Sequence, residues 1–398
     1  MNFDILYVNL VNPIPIPGGR RFLEFHKRLS HEFKIAYVLL FNDPYQRKTA
    51  EQILKKANIK SISIRVPISN TSGSFFHLYK GYLLIHLLRV MKKITKKYNF
   101  KIIHEEATPL PLFSKAFLHH KKTTLLTLHE VRGLKIGWYT LGFAGLIEGF
   151  SEKMLTKLGS LYDYIITVSF STFDRIRKYL GLRPLLIPNG VDVDKFSPFP
   201  ESSYRDNSRV FRIITVGRFV RHKGYFLLPW ILKILNYIGK KALIKIIYTL
   251  VGSGPYKRKI VQYVSMLTNK LSNVEVIIKS NLTEEAYIEI LRKNDLYLHL
   301  NPYMEGFGFS VAEAMSVGLP VVAFNIPGVN ELVENDINGF LVRPFDLKEM
   351  ALKIALLIEN EDLRKRFGWK ARKKIIRKYS IAKSVSKLKK LYNYILET

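Results

Sequence analysis

Residues Asn301–Phe324, NPYMEGFGFSVAEAMSVGLPVVAF, decide how the chain is read. Val311, Ala314 and Met315 keep helical spacing, which predicts a helix over Ser310–Val317 stopped by Gly318 and Pro320. The apolar run Val321–Phe324 reads as a buried strand. A helix entered from a glycine-flanked turn gathers unpaired backbone N–H groups, here those of Gly306, Phe307, Gly308 and Phe309, at the positive end of its dipole. An anion fits there, most naturally a phosphate. Two carboxylates, Glu305 and Glu313, bracket this turn. On an ideal helix they would stand about two turns, roughly 12 Å, apart, too far for a close acid/base pair. They are expected to bind hydroxyls at two separate points of one extended ligand.

Outward from this run, short Val-, Ile- and Leu-rich segments alternate with amphipathic ones. Ile5–Leu10, Lys34–Phe41, Ser61–Val66, Lys101–Ile103, Thr123–Leu128 and Tyr164–Ser169 read as strands, and the pattern restarts with Phe211–Val216, Leu243–Val251, Val274–Ile278, Leu296–Leu300 and Val321–Phe324. Alternation of this kind predicts an α/β fold with parallel sheets covered on both faces, that is, two doubly wound domains. The Pro-, Ser- and charge-rich stretch Phe196–Ser208 separates them, giving domains over 1–200 and 201–380 with a C-terminal helix over 381–398. Ligands of such sheets bind beyond the carboxyl ends of the strands, so two facing sheets imply a central cleft.

The 398 residues, 47% hydrophobic with mean hydropathy +0.02, suffice for two full cores. The absence of cysteine excludes disulfides, thiolate metal sites and a thiol nucleophile, and is compatible with a cytosolic protein. The start MNFDILYVNL reads as a first core strand rather than a signal peptide. No apolar stretch approaches the ~20 residues that span a bilayer. A formal charge of +31, spread over both halves, is extreme for an enzyme of small metabolites and points to an acidic partner. Gln52–His104 holds eleven Lys or Arg and no Asp or Glu, and Arg364–Lys378 holds nine basic residues in fifteen. Nucleic acid is not the expected partner, because no zinc spacing, aromatic RNA-binding signature or helix-turn-helix accompanies the charge. The segment Phe75–Lys97 joins apolar residues to Arg89, Lys92, Lys93, Lys96 and Lys97. It is either a core helix with a basic end or an interfacial helix on anionic lipid.

The run from Glu305 to Glu313, continued through VAEAMSVGLPVVAFNIPGVNELVENDINGFLV to Val342, resembles the E-x(7)-E signature of retaining glycosyltransferases of family four, which have the GT-B fold and use nucleotide-sugar donors. The resemblance implies two Rossmann-like domains, a first glutamate, Glu305, on sugar hydroxyls and a second, Glu313, on the ribose. It implies that the last helix crosses back onto the first domain. VGRFVRHKG, Val216–Gly224, resembles the family's Gly-Arg to Lys-Gly element. Arg218 and Lys223 would there neutralise charge on a departing nucleoside diphosphate, without a metal or other cofactor. Gly18 and Gly19, after the first strand, stand where the family has its glycine loop, and Gly252 and Gly254 resemble its G-x-G-P loop. His129, ending TTLLTLHE, stands where the family has a histidine on the donor sugar. Ser280 falls where many relatives have Gly. Asp192-Val193-Asp194 spells a D-x-D, but it sits in an interdomain turn beside no other metal ligands and is not taken as a metal site.

The implied activity is retaining, metal-independent transfer of a hexosyl group to an acceptor hydroxyl. A lipid or lipid-linked glycan acceptor at the cytoplasmic membrane face accommodates the basic segments. A sugar-nucleotide epimerase on the same fold is the alternative enzyme, distinguished by needing no acceptor.

Overall fold

In the computed structural model, the described residues are 2–9, 24–41, 44–56, 58–65, 89, 92–94, 96–107, 122–130, 158–199, 209–268 and 270–398. They fall into two compact units, 1–188 with 384–398, and 189–383.

The first unit is built on a parallel sheet of seven strands in the order β3-β2-β1-β4-β5-β6-β7. These are β1 Asn2–Asn9, β2 Ile35–Phe41, β3 Lys60–Arg65, β4 Asn99–Ala107, β5 Thr123–Leu128, β6 Tyr164–Thr167 and β7 Leu185–Leu186. Ile5, Leu6, Ala36, Val38, Ile102, Ile103, Leu125 and Leu126 are fully buried, as strands covered on both faces require. The helix Ile381–Glu397 contributes to this core from Ser384 onward: Tyr392 is wholly buried against Phe33, and Ser384 Oγ donates to Pro188 O at 2.6 Å.

The second unit repeats the arrangement with six parallel strands, β10-β9-β8-β11-β12-β13. They are β8 Val210–Val216, β9 Lys245–Val251, β10 Val274–Lys279, β11 Leu296–His299, β12 Val321–Phe324 and β13 Gly339–Val342. Helices Leu228–Ala242 and Leu347–Glu359 pack together, as do Phe309–Ser316 and Glu361–Lys378.

Three sequence expectations shift. Leu243 is not in β9 but closes the preceding helix in a left-handed conformation (φ 55°), its N–H reaching Gly239 O and Lys240 O. β7 and β13 went unread because one has two residues and the other opens on glycine. The second unit begins at Asn189, ahead of the expected stretch Phe196–Ser208, because Val191 N–H donates to Tyr379 O and Ile381 N–H donates to Val191 O, each at 2.8 Å. Among the described residues no helix is long and apolar enough to cross a membrane.

Candidate active site

In the second unit the strand order reverses between β8 and β11, the place where doubly wound sheets bind ligands. The loop after β8 carries Arg218 and Lys223 and ends at Gly224 (φ 84°), where a Cβ would stand 1.9 Å from Leu300 O. Only glycine lets this loop close onto the end of β11. The closure brings Lys223 to Glu305, 82 residues away in sequence, with Nζ 2.6 Å from both carboxylate oxygens. Asn301 Nδ2 donates to Glu305 Oε1 at 3.0 Å and to Met304 O at 2.7 Å, and His299 Nε2 lies 3.2 Å from Oε1. The backbone is clamped as well. Glu305 N–H donates to Pro327 O at 3.0 Å, and a Cβ on Gly328 (φ 85°) would stand 2.1 Å from Glu305 O. Burial alone would raise the Glu305 carboxyl, but the Lys223 ammonium and the His299 ring outweigh it and hold the group well below the usual carboxylate range. The site therefore presents a fixed carboxylate beside a fixed ammonium.

Arg218 is exposed. Its loop is bound to the one after β9: Phe219 N–H donates to Ser253 O and Tyr256 N–H to Phe219 O, both at 2.8 Å. Gly252 and Gly254 flank Ser253, with Gly252 N–H donating to Lys279 O at 2.9 Å and Gly254 O accepting from Lys257 at 3.1 Å. Ser280 Oγ is buried and makes no hydrogen bond among the described residues.

The helix after Glu305 runs Phe309–Ser316, with Gly308 (φ 82°) as its N-cap. Glu305 thus lies in the turn before it, and the ideal-helix separation expected between the two glutamates does not apply. Glu313 is buried and accepts a 2.8 Å hydrogen bond from the Tyr287 hydroxyl. Phe307, expected among the donor-binding residues, packs its ring into the core 5.7 Å from Tyr379, so its backbone is what remains for a ligand. Gly306 and Phe309 are half-buried at the same turn.

In the first unit His129 follows β5, with Nε2 3.5 Å from Glu106 Oε2. Burial would raise the Glu106 carboxyl, but His129, with His26 and Tyr7, lowers it. Arg89, Lys92, Lys93, Lys96 and Lys97 are all exposed, while Ile94 among them is buried. Gly18, Gly19 and the apolar residues from Phe75 to Leu88 lie outside the described residues. Asp192 caps its own turn, Oδ1 accepting from Lys195 N–H at 3.3 Å. Among the described residues, no three His, Cys, Asp or Glu side chains gather as a metal site would.

Sequence reading left His299, Asn301 and Tyr287 unassigned. The signal for His299 was present as the histidine in the apolar strand Leu296–Leu300, and that for Asn301 as the polar residue opening the quoted run.

Two parallel-sheet Rossmann-like units of this kind are those of the GT-B glycosyltransferase fold. Family models described as "Glycosyl transferases group 1" and "Glycosyltransferase Family 4" match residues 201–374 and 20–195. The chain belongs to the family 4 glycosyltransferases of this group. An uncharacterised glycosyltransferase of Methanocaldococcus jannaschii is 32% identical over 58% of this chain and 59% of its own length, so the similarity reaches about three fifths of that relative. An Escherichia coli UDP-Gal:alpha-D-GlcNAc-diphosphoundecaprenol alpha-1,3-galactosyltransferase is 27% identical over 77% of this chain and 80% of that one. Among solved structures, Anabaena HepE in complex with UDP and glucose covers 98% of this chain and 100% of its own, at 17% identity and TM-score 0.72. That likeness is one of fold.

Proposed function

We propose that the chain moves a hexosyl group from a nucleoside diphosphate sugar to an acceptor hydroxyl, with retention at the anomeric carbon and without a metal. The observation that carries this is the Lys223–Glu305 pair at the β8/β11 switch point. In the step, the bond between the sugar C1 and the diphosphate oxygen breaks, and the acceptor oxygen bonds to C1 on the same face. The acceptor proton passes to the leaving phosphate. Lys223 and Arg218 neutralise the charge that grows on that phosphate, while Glu305 holds a sugar hydroxyl. His129 contacts the donor sugar, and Glu313, already held by Tyr287, takes the ribose. The backbone N–H groups of Gly306–Phe309 and the glycine loop at Gly252–Gly254 approach the donor.

The acceptor is a lipid or lipid-linked glycan at an anionic cytoplasmic membrane face. The E. coli relative's name specifies UDP-galactose and a diphosphoundecaprenol acceptor, and the Anabaena structure holds UDP and glucose. The exposed Arg89, Lys92, Lys93, Lys96 and Lys97 suit anionic headgroups, each adding about 1 kcal/mol near such a surface.

The test is transfer of radiolabelled sugar from a panel of UDP- and GDP-sugars into lipid extract. Labelled lipid should form in EDTA and keep the donor's anomeric configuration by NMR. An inverted product, activity lost in EDTA and restored by Mn²⁺, or release of an epimerised sugar without acceptor would overturn the reading. Liposome co-sedimentation should rise with anionic lipid and weaken when Lys92, Lys93, Lys96 and Lys97 become Gln.

A further inference from the structure

We propose that His299 and Asn301 are positioning residues that hold the Glu305 carboxylate in place independently of Lys223. The proposal rests on the sugar-transfer reading above for its purpose, though not for its geometry.

A carboxylate offers about four lone-pair sites. In Glu305 they are used unevenly among the described residues: Oε1 faces Lys223, Asn301 and His299, whereas Oε2 receives Lys223. Oε2 therefore keeps capacity for a ligand hydroxyl. If Lys223 were the only partner, the carboxylate would follow the ammonium whenever it turned toward a diphosphate. Two further donors prevent this, and both stand on rigid parts of the unit. His299 is the last residue of β11, paired in register with Ala323 of β12. Asn301 is 1% exposed and completely engaged: its amide N–H groups serve Met304 O and Glu305, and its Oδ1 accepts from Tyr303 N–H at 3.0 Å. A hydrogen bond that must survive the movement of a neighbour belongs on such anchors.

The His299 ring carries a second sign of this role. An ionised carboxylate only accepts, so a hydrogen bond to it requires the proton on Nε2. The other nitrogen, Nδ1, is buried and has no partner among the described residues. A histidine 5% exposed in the strand LYLHL, with one nitrogen unpaired, is a poor choice for packing alone. Its use is the single N–H it offers Glu305.

The experiment contrasts two amides. In His299→Gln the side-chain N–H₂ extends to about the position of Nε2, whereas in His299→Asn it reaches only that of Nδ1. With whichever of UDP-glucose, UDP-galactose, UDP-N-acetylglucosamine or GDP-mannose the wild type transfers, His299→Asn should lower kcat by about tenfold or more. Donor KM and the melting temperature should stay nearly unchanged, and His299→Gln should recover most of the loss. Equal loss in both variants, or loss confined to KM, would overturn the proposal. A wild type that transfers none of these sugars would instead count against the sugar-transfer reading. Nitrogen-15 NMR of the His299 ring then decides the positioning role without substrate. The wild type should show a ring protonated at Nε2, shifting toward a tautomer mixture in Glu305→Ala. Protonation at Nδ1 in the wild type would overturn it.

Discussion

The two sheets follow one plan, since the order β3-β2-β1-β4-β5-β6 of the first is repeated by β10-β9-β8-β11-β12-β13 in the second. They place their ionisable groups differently. In the first unit such groups run through the interior: His104 lies between the Tyr392 hydroxyl and Thr127 Oγ1, and Glu105, 2% exposed, is bonded to the Tyr162 hydroxyl while its Oε1 has no partner among the described residues. In the second unit the carboxylate and ammonium meet at the carboxyl edge, with side chains 14% and 25% exposed. Deeper in that sheet the buried polar groups are neutral hydroxyls, such as Tyr297, 3.1 Å from Val216 O, and Thr215, which donates to Leu298 O at 2.5 Å. The lesson is one of division: charge at an edge can do chemistry at small expense to the fold, whereas titratable groups inside a sheet tie its stability to pH.

The largest effect should separate activity from stability in the second unit. Arg218→Ala, Lys223→Ala and Glu305→Ala are each expected to reduce turnover by at least ~100-fold, because in the proposed mechanism each removes a preorganised charge beside the phosphate or sugar. The melting temperature should change little in Arg218→Ala, whereas Lys223→Ala and Glu305→Ala also leave a partly buried charge or its hydrogen-bond partners unpaired and should lower it. A variant that loses activity only because it unfolds would erase the contrast between the units.

In the first unit the reverse is expected. Tyr392→Phe leaves the buried His104 Nδ1 without its partner, which should destabilise the unit by about 1–3 kcal/mol as measured by denaturant unfolding. Turnover of the folded fraction should stay within a few-fold of wild type. No loss of stability would mean that the buried polar chain is not what holds this interior together.

The smallest effect is the most specific, since two buried groups should give opposite pH slopes. Burial lowers His104 to about 3, below its unfolded value near 6.5, so its contribution is complete above about pH 6.5 and lost as pH falls toward 3. Burial raises Glu105 well above the ordinary carboxylate value despite the Tyr162 hydrogen bond, so its contribution is complete below about pH 4.3 and lost as pH rises. Glu105→Gln copies the neutral acid. Its melting temperature should exceed that of wild type by a few degrees at pH 8, with the gain shrinking toward zero at pH 4. A pH-independent gain would show that the Glu105 carboxyl ionises alike in the folded and unfolded chain.

Much of the fold was legible because strand composition and spacing repeat across both units, from Ile5 to Phe324. The E-x(7)-E run likewise displayed its two glutamates openly. What the sequence could not display was which partners the chain would fold beside them. Lys223 meets Glu305 only because Gly224 lets a loop fold down onto Leu300, and Tyr287 reaches Glu313 from a helix whose own sequence, Glu284–Arg292, shows no functional mark. His299 was hidden by its strand, since a histidine inside an apolar run reads as packing until its hydrogen bond is seen. The boundary at Asn189 was hidden for a related reason: backbone bonds to Tyr379 and Ile381 leave no trace in composition.

The placement of Tyr392 has a consequence for how the protein is made. The ribosome delivers the first unit's seven strands early, yet the hydroxyl that pairs with His104 arrives only after all of 189–383 has been synthesised. Until then the growing chain must carry a nearly complete sheet with a titratable ring inside it and one wall absent. Domains ordinarily fold as units, the N-terminal one first, during synthesis. Here the first to emerge should be the last to finish, locked only when the final helix docks.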